Sequence, residues 1–301
     1  HFQETFAEHI KCRADGLPGN ACAATVAPLT RQGNDMINPI GIFAGQESVQ
    51  LEALWRVVDD DLAVLADAVV GLAVMSDDNE RSLEAVRFQR VPPSWLKAGY
   101  PSLKGLAGWM DDFVRRWATL QTWITQGPPV VYWLSGYFFP QGWITGLLQT
   151  HSRVTGIPVD KLGFAVEVCR TEPTQRPRHG AYISGLFLQG ARWDRRNGAA
   201  GCLADAVPGE LFDKMPSIKL LPVELVEEEE EEEEGAGGGG GEKKEKSTYA
   251  CPVYKTLERR GVLSTTGLST NFIVALELPM SGGQSEAFWV RRGAAMIAAL
   301  D

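Results

Sequence analysis

Tyr132 to Leu148 reads Y-W-L-S-G-Y-F-F-P-Q-G-W-I-T-G-L-L, and the fold is decided there. An aromatic, apolar run (Tyr132, Trp133, Leu134) gives way to a small Ser135-Gly136 break. Tyr137-Phe138-Phe139 follows, and Pro140 opens a new segment. Proline suits a first helical position, because the N–H it lacks would have had no intrahelical partner there. Trp143, Ile144, Leu147, Leu148 and His151 then recur at helical spacing, which predicts a helix to about Arg153 that stops at Gly156. Before this stretch the pattern is helical; beyond it, mostly that of strands. The expected class is α+β, with Tyr137, Phe138 and Phe139 sealing a joint between two halves.

On the N-terminal side, residues 1–37 carry scattered Gly and Pro and read as connecting segment. Asn38-Pro39 precedes a helix whose Leu51, Leu54, Val58, Leu62, Leu65 and Val69 share one face, with Asp67 as an edge carboxylate reaching solvent. Ser76-Asp77-Asp78 reads as a fresh helix start, with a Ser cap and acids at the positive end of the dipole. Val91-Pro92-Pro93 ends that segment. Leu106, Trp109, Met110, Phe113, Trp117, Leu120 and Ile124 define the next helix, terminated by Gly127 and Pro128-Pro129. Trp109, Trp117 and Trp123 are expected to pack in a core. As a base-stacking platform they would need more than Arg115 and Arg116 to follow a phosphate backbone.

On the C-terminal side, Leu162, Phe164, Val166 and Val168 alternate at strand spacing. Further strands are expected at Tyr182 to Leu188, Ile218 to Val226 (broken by Pro222), Tyr249 to Tyr254, Phe272 to Leu278 and Phe288 to Arg291. Strands separated by Gly and Ser predict an antiparallel sandwich or barrel. Glu227 to Glu234 is an unbroken acidic run followed by a glycine run. It repels itself, has nothing apolar to bury, and is expected to be a disordered loop inserted between strands.

That run also explains the charge. The chain of 301 residues has a net charge of −9, but Glu224 to Lys246 holds eleven Glu against three Lys, a net −8, leaving −1 for the rest. A near-neutral body argues for neither a nucleic-acid nor a membrane partner. The five cysteines follow no ligand spacing and are expected to be reduced thiols. The longest apolar region, Leu62 to Met75, is interrupted by Asp67 and too short to span a bilayer. The sequence begins His-Phe-Gln, without an initiator Met, as a fragment of something longer would.

Catalytic patterns fail one by one. Gly185 to Gly190 has phosphate-loop spacing, but Ala191-Arg192 stands where Lys and Ser/Thr belong. Gly235 to Gly240 fits G-x-G-x-x-G, yet eight Glu precede it in place of a strand. Gly267-Leu268-Ser269-Thr270-Asn271 lacks the last Gly of a nucleophile elbow, and Ser135 has no such frame. His151 reads as a core-edge residue; His179 is the only other histidine past residue 9. Asp59 to Asp61 and Asp111-Asp112 read as helix-surface charges. No catalytic, cofactor-binding or metal-binding residues are expected.

Several long blocks resemble one family. Trp133 to Gln149, Tyr100 to Trp109 (Y-P-S-L-K-G-L-A-G-W), Gly185 to Asp194 (G-L-F-L-Q-G-A-R-W-D), Cys251 to Thr256 (C-P-V-Y-K-T) and Leu263 to Phe272 (L-S-T-T-G-L-S-T-N-F) look like the C-terminal domain of dynein heavy chains, as does the closing W-V-R-R-G-A-A-M-I-A-A-L-D. The Leu263 to Phe272 block resembles the axonemal (ciliary) heavy chains more than the cytoplasmic ones. Leu268 stands where the family usually has His, the acidic-glycine insert is foreign to the pattern, and residues 1–37 match little.

The resemblance implies a helical part over 38–160 and an antiparallel β-barrel over 161–301, with a disordered insert at 227–247. Residues 1–37 would then be a linker or the tail of a preceding ATPase-module lid. It also implies that Arg292 to Leu300, helical by its alanine content, forms strand. The implied role is regulatory and non-catalytic: a body packed on the ATPase ring of the same heavy chain, in a microtubule motor of the ciliary or flagellar axoneme. ATP and Mg would sit in the upstream ring, with intermediate and light chains as further partners. The other readings are a free-standing ciliary adaptor, or a hydrolase using Ser135 or Ser269 with His151.

Overall fold

The computed structural model describes residues 38–72, 74–100, 102–196, 201–225, 247–259, 271–281 and 284–299. The expectations for residues 1–37, for the acidic-glycine insert, and for Leu268 and Ser269 lie outside them. Residues 38–129 together with Gly136–Phe139 form one packed unit. Val130–Ser135 and the sequence from Pro140 onward form a second.

The first unit is helical. Helix α1 (Pro39–Val69) has its proline in the first turn after an extended Asn38, and it buries Phe43, Leu51, Leu54, Val58, Leu62 and Leu65 along one face. Each such side chain removed from water contributes about 1.5–3 kcal/mol. Asp67 is exposed, as its place at the edge of that face requires. Ser76 caps α2 (Asp77–Arg87), its Oγ accepting the Asn79 amide at 3.3 Å. Pro93 starts the short α3 (Pro93–Ala98), which buries Trp95 completely. Helix α4 (Leu106–Gln126) ends at Gly127, whose φ of 92° an L side chain would resist. Trp109 lies between Trp95 and Phe113, each with ring centroids 5.5 Å away, and stacks on Tyr100 at 5.6 Å. Trp109, Trp117 and Trp123 are all buried.

The second unit holds helix α5 (Pro140–Thr155), the short helix α6 (Glu286–Arg292) and the strands. Strands β1 (Val131–Trp133), β2 (Leu162–Val168), β3 (Ala181–Ser184) and β8 (Ile218–Glu224) make a sheet in the order β1-β3-β8-β2. Strands β4 (Phe187–Gln189), β7 (Phe212–Lys214), β9 (Thr248–Tyr254), β10 (Phe272–Pro279) and β11 (Ala295–Ile297) make a second, ordered β10-β9-β11-β4-β7. Strands β5 (Arg192–Asp194) and β6 (Cys202–Ala204) pair separately. Helix α5 packs on β2, β8 and β10.

The expected antiparallel β-barrel is not what forms. Both larger sheets are mixed: β1 runs parallel to β3, and β11 parallel to β9. Both are also open, since each order ends on two different strands. Edge strands β2 and β10 approach one another, yet no ladder joins them among the described residues, and a barrel requires such a ladder.

Three strand expectations also change. Tyr182 to Leu188 is not one strand: Gly185, at φ 89°, breaks it into β3 and β4, which join different sheets. Phe288 to Arg291 lies in α6, and its buried Trp289 is a core residue of a helix. Pro222 does not break β8, because β3 pairs only as far as Leu220 and the proline needs only the β2 side. The C-terminal end does form strand: β11 is fully buried between β9 and β4.

Candidate functional site

The stretch quoted at the outset is divided between the units, and each part is fixed by a different device. Val131, Tyr132 and Trp133 pair in register with Tyr182, Ile183 and Ser184. Tyr132 is buried against Trp143 of α5, ring centroids 4.9 Å apart, and burial pushes its phenol up to about 12. A 3₁₀ turn over Leu134–Gly136 follows. Gly185 makes room for it: a Cβ there would stand 2.4 Å from Ser135 Oγ and 2.6 Å from Trp133 Cδ1. Pro140 opens α5, and Gln141 Nε2 donates to the Phe272 carbonyl at 3.0 Å.

Gly136–Phe139 belongs to the helical unit. Tyr137 is buried, edge-on to Phe43 at 5.0 Å and beside Trp123 at 6.2 Å. Phe138 sits edge-on to Tyr100 at 5.9 Å, while Phe139 is 57% exposed. The aromatic triplet therefore packs two of its three rings within the helical unit. Glu47 of α1, only 4% exposed, accepts the backbone N–H of Phe138 at 2.7 Å and of Phe139 at 2.9 Å. Hydrogen bonds to a charged acceptor are the stronger kind, and here they join residues 91 and 92 positions apart.

A charged network lies next to it in the same unit. Arg116, 7% exposed, donates to Asp112 at 2.8 Å, and Lys104 reaches the same carboxylate at 3.4 Å. The guanidinium sits 3.7 Å above the Tyr100 ring. Burial pushes the Asp112 carboxyl up, but Arg116 and Lys104 outweigh it and hold the carboxyl below its ordinary value. Burial raises the Tyr100 phenol strongly. Asp61 of α1 is a second hub, accepting from Ser94 Oγ at 2.7 Å, Trp95 Nε1 at 2.9 Å and Ser82 Oγ at 3.5 Å.

Asp61 and Asp112 are thus not the surface charges their neighbours in sequence suggested, and Arg116 is not a surface cation. Two signals pointed to this. Asp112 and Arg116 are spaced i, i+4. Glu47 lies on the same side of α1 as Phe43 and Leu51, four residues from each.

The candidate nucleophile and base are not brought together. Among the described residues neither Ser135 Oγ nor the His151 ring makes a hydrogen bond; Ser135 lodges against Gly185 instead. His179 is exposed in the loop before β3. Gly185 to Gly190 is not a loop either, since Phe187–Gln189 is strand β4, paired on one side with β11 and on the other with β7. Backbone amides committed to ladders cannot converge on a phosphate. Among the described residues no group of three or more His, Cys, Asp or Glu is placed to hold a metal ion, and no helix is long and apolar enough to cross a membrane. Cys169, Cys202 and Cys251 are free thiols.

Comparison with known proteins gives a single family. Residues 5–298 match the model of the C-terminal domain of dynein heavy chains. Dynein axonemal heavy chain 3 of Mus musculus is 40% identical over 258 residues, covering 85% of this chain and 6% of the relative. Dynein axonemal heavy chain 1 of Homo sapiens is 40% identical over 259 residues, again covering 85% of this chain and 6% of the relative. Dynein axonemal heavy chain 12 of Mus musculus is 39% identical over 257 residues, covering 85% and 8%. The chain thus spans less than a tenth of the length of these relatives.

Proposed function

The protein belongs to the family of C-terminal domains of dynein heavy chains, and we propose from that premise that it is a non-catalytic, mechanical component of an axonemal dynein heavy chain. In this reading it packs on the ATPase ring of its own heavy chain and biases the ring among its conformations. It can do so only through contacts that differ between ring states, since a body that binds all states equally shifts none of them. ATP and Mg belong to the upstream ring, and microtubules and the intermediate and light chains are met through the whole motor. The place of work is the ciliary or flagellar axoneme.

The observation that carries this reading is the extent of the match, almost end to end, to one domain of axonemal motors. The commitment of the Gly185 to Gly190 amides to a sheet supports the non-catalytic part.

Two measurements test the proposal. The coding sequence upstream of His1 should encode ATPase modules; a short reading frame without them would leave a free-standing adaptor. Motors with and without this domain should then differ in microtubule gliding velocity or in stimulated ATPase rate, with ATP hydrolysis surviving its removal. Identical rates in the two forms would refute a regulatory role.

A further inference from the structure

We propose that Glu47 is a clasp that determines whether the Gly136–Phe139 segment stays seated in the helical unit. The inference goes beyond the role assigned to the domain and does not depend on it.

The argument starts from connectivity. Val130–Ser135 and the sequence from Pro140 pack with the strands, so Gly136–Phe139 is a four-residue excursion whose two flanks both lie in the other unit. So short a segment has little area with which to hold itself in place. One of its residues is glycine, and the Phe139 side chain is largely exposed, which leaves the Tyr137 and Phe138 rings as its apolar anchors. Its two consecutive amides, Phe138 and Phe139, come immediately before the proline that opens α5. Amides at such a place have no intrahelical acceptor and must find one elsewhere.

Glu47 supplies it. The carboxylate offers one oxygen to each amide, Oε2 to Phe138 at 2.7 Å and Oε1 to Phe139 at 2.9 Å. A buried carboxylate without partners is costly, and buried amides without an acceptor are costly too, so each side makes the other tolerable. The bonds are made or lost as a set, because both oxygens belong to one side chain. Attachment of the segment is therefore conditional on one group, whereas Tyr137 and Phe138 alone would leave it loosely held.

Amide hydrogen exchange of the whole protein, resolved at Phe138 and Phe139, is the test. Glu47→Ala should speed exchange at these two amides at least tenfold, with amides in the middle of α4, such as Leu120, unchanged. Glu47→Gln keeps a single acceptor oxygen and should fall between the two. Glu52→Gln, on the same helix and paired with Arg56 at 2.6 Å, should leave both amides protected. Unchanged exchange at Phe138 and Phe139 in Glu47→Ala would overturn the proposal. So would acceleration spread evenly over the helical unit, since Glu47 would then be a general stabiliser. Should Glu47→Ala fail to fold, Glu47→Gln decides alone: wild-type protection at both amides refutes the clasp.

Discussion

Replacing Gly185 by alanine tests how closely the Ser135 turn is fitted to the strand break. Gly185 sits at φ 89°, and an ideal Cβ would lie 2.4 Å from Ser135 Oγ, 2.6 Å from Trp133 Cδ1 and 2.9 Å from Trp133 Nε1. Two costs add. Holding an L residue at positive φ costs roughly 1–2 kcal/mol. Forcing a methyl into occupied space costs roughly 1–3 kcal/mol more. Gly185→Ala should therefore destabilise by about 2–5 kcal/mol, read as a lowered urea midpoint at unchanged m in tryptophan fluorescence. Ser135→Ala alone removes no hydrogen bond and should change stability by less than about 0.5 kcal/mol. Combined with Gly185→Ala it removes the nearest contact and should restore about 1 kcal/mol, a coupling typical of touching residues. Trp133 keeps the recovery incomplete. A Gly185→Ala protein within about 0.5 kcal/mol of the parent, or a double variant no better than the single, would refute the reasoning.

Arg116→Ala strands the Asp112 carboxylate at 10% exposure and should cost about 3–5 kcal/mol in thermal or urea unfolding; Arg116→Lys, without the planar group over Tyr100, should recover only part of it. Because the folded Asp112 carboxyl lies below its ordinary value of 3.8, the unfolded state takes up that proton first as pH falls. Its stabilisation is complete above 3.8 and lost as pH drops through the folded value, so Asp112→Asn should flatten the acid side of a stability–pH profile. Asp61→Ala deprives Ser94 and Trp95 of their shared acceptor and should cost about 1.5–3 kcal/mol, with altered tryptophan emission. The Cys251 thiol is pushed up to about 12, chiefly by burial, so iodoacetamide at pH near 8 should leave it unmodified in the folded protein and label it in denaturant, as peptide mass analysis would report.

The helices were legible because each carries a long apolar face with a recognisable start and stop: Asn38-Pro39 for α1, Ser76 for α2, Gly127 after α4, Pro140 and Gly156 around α5. The long strands were legible for the same reason, through alternation at β2, β9 and β10. Sheet architecture was not. Alternation tells which side chains face inward, and it carries no record of whether a neighbour runs parallel or whether the last strand meets the first. That is why a barrel was expected where two open, mixed sheets form. Strands of three residues, such as β5, β6 and β7, are shorter than one period of evidence. Gly185 looked like a tolerable glycine inside one strand, and only its positive φ shows that it separates two. Glu47, Asp61 and Arg116 escaped notice because a charged residue near an apolar face is more often at its edge than beneath it. What distinguishes them is a partner distant in sequence or a turn away: the Phe138 and Phe139 amides, Ser94 with Trp95, and Asp112.

The claim that this protein is a mechanical and not a nucleotide-handling body is tested most directly by titrating residues 1–301 with ATP and Mg in a calorimeter. The account predicts no saturable heat at micromolar nucleotide. Stoichiometric binding in the micromolar range would contradict it.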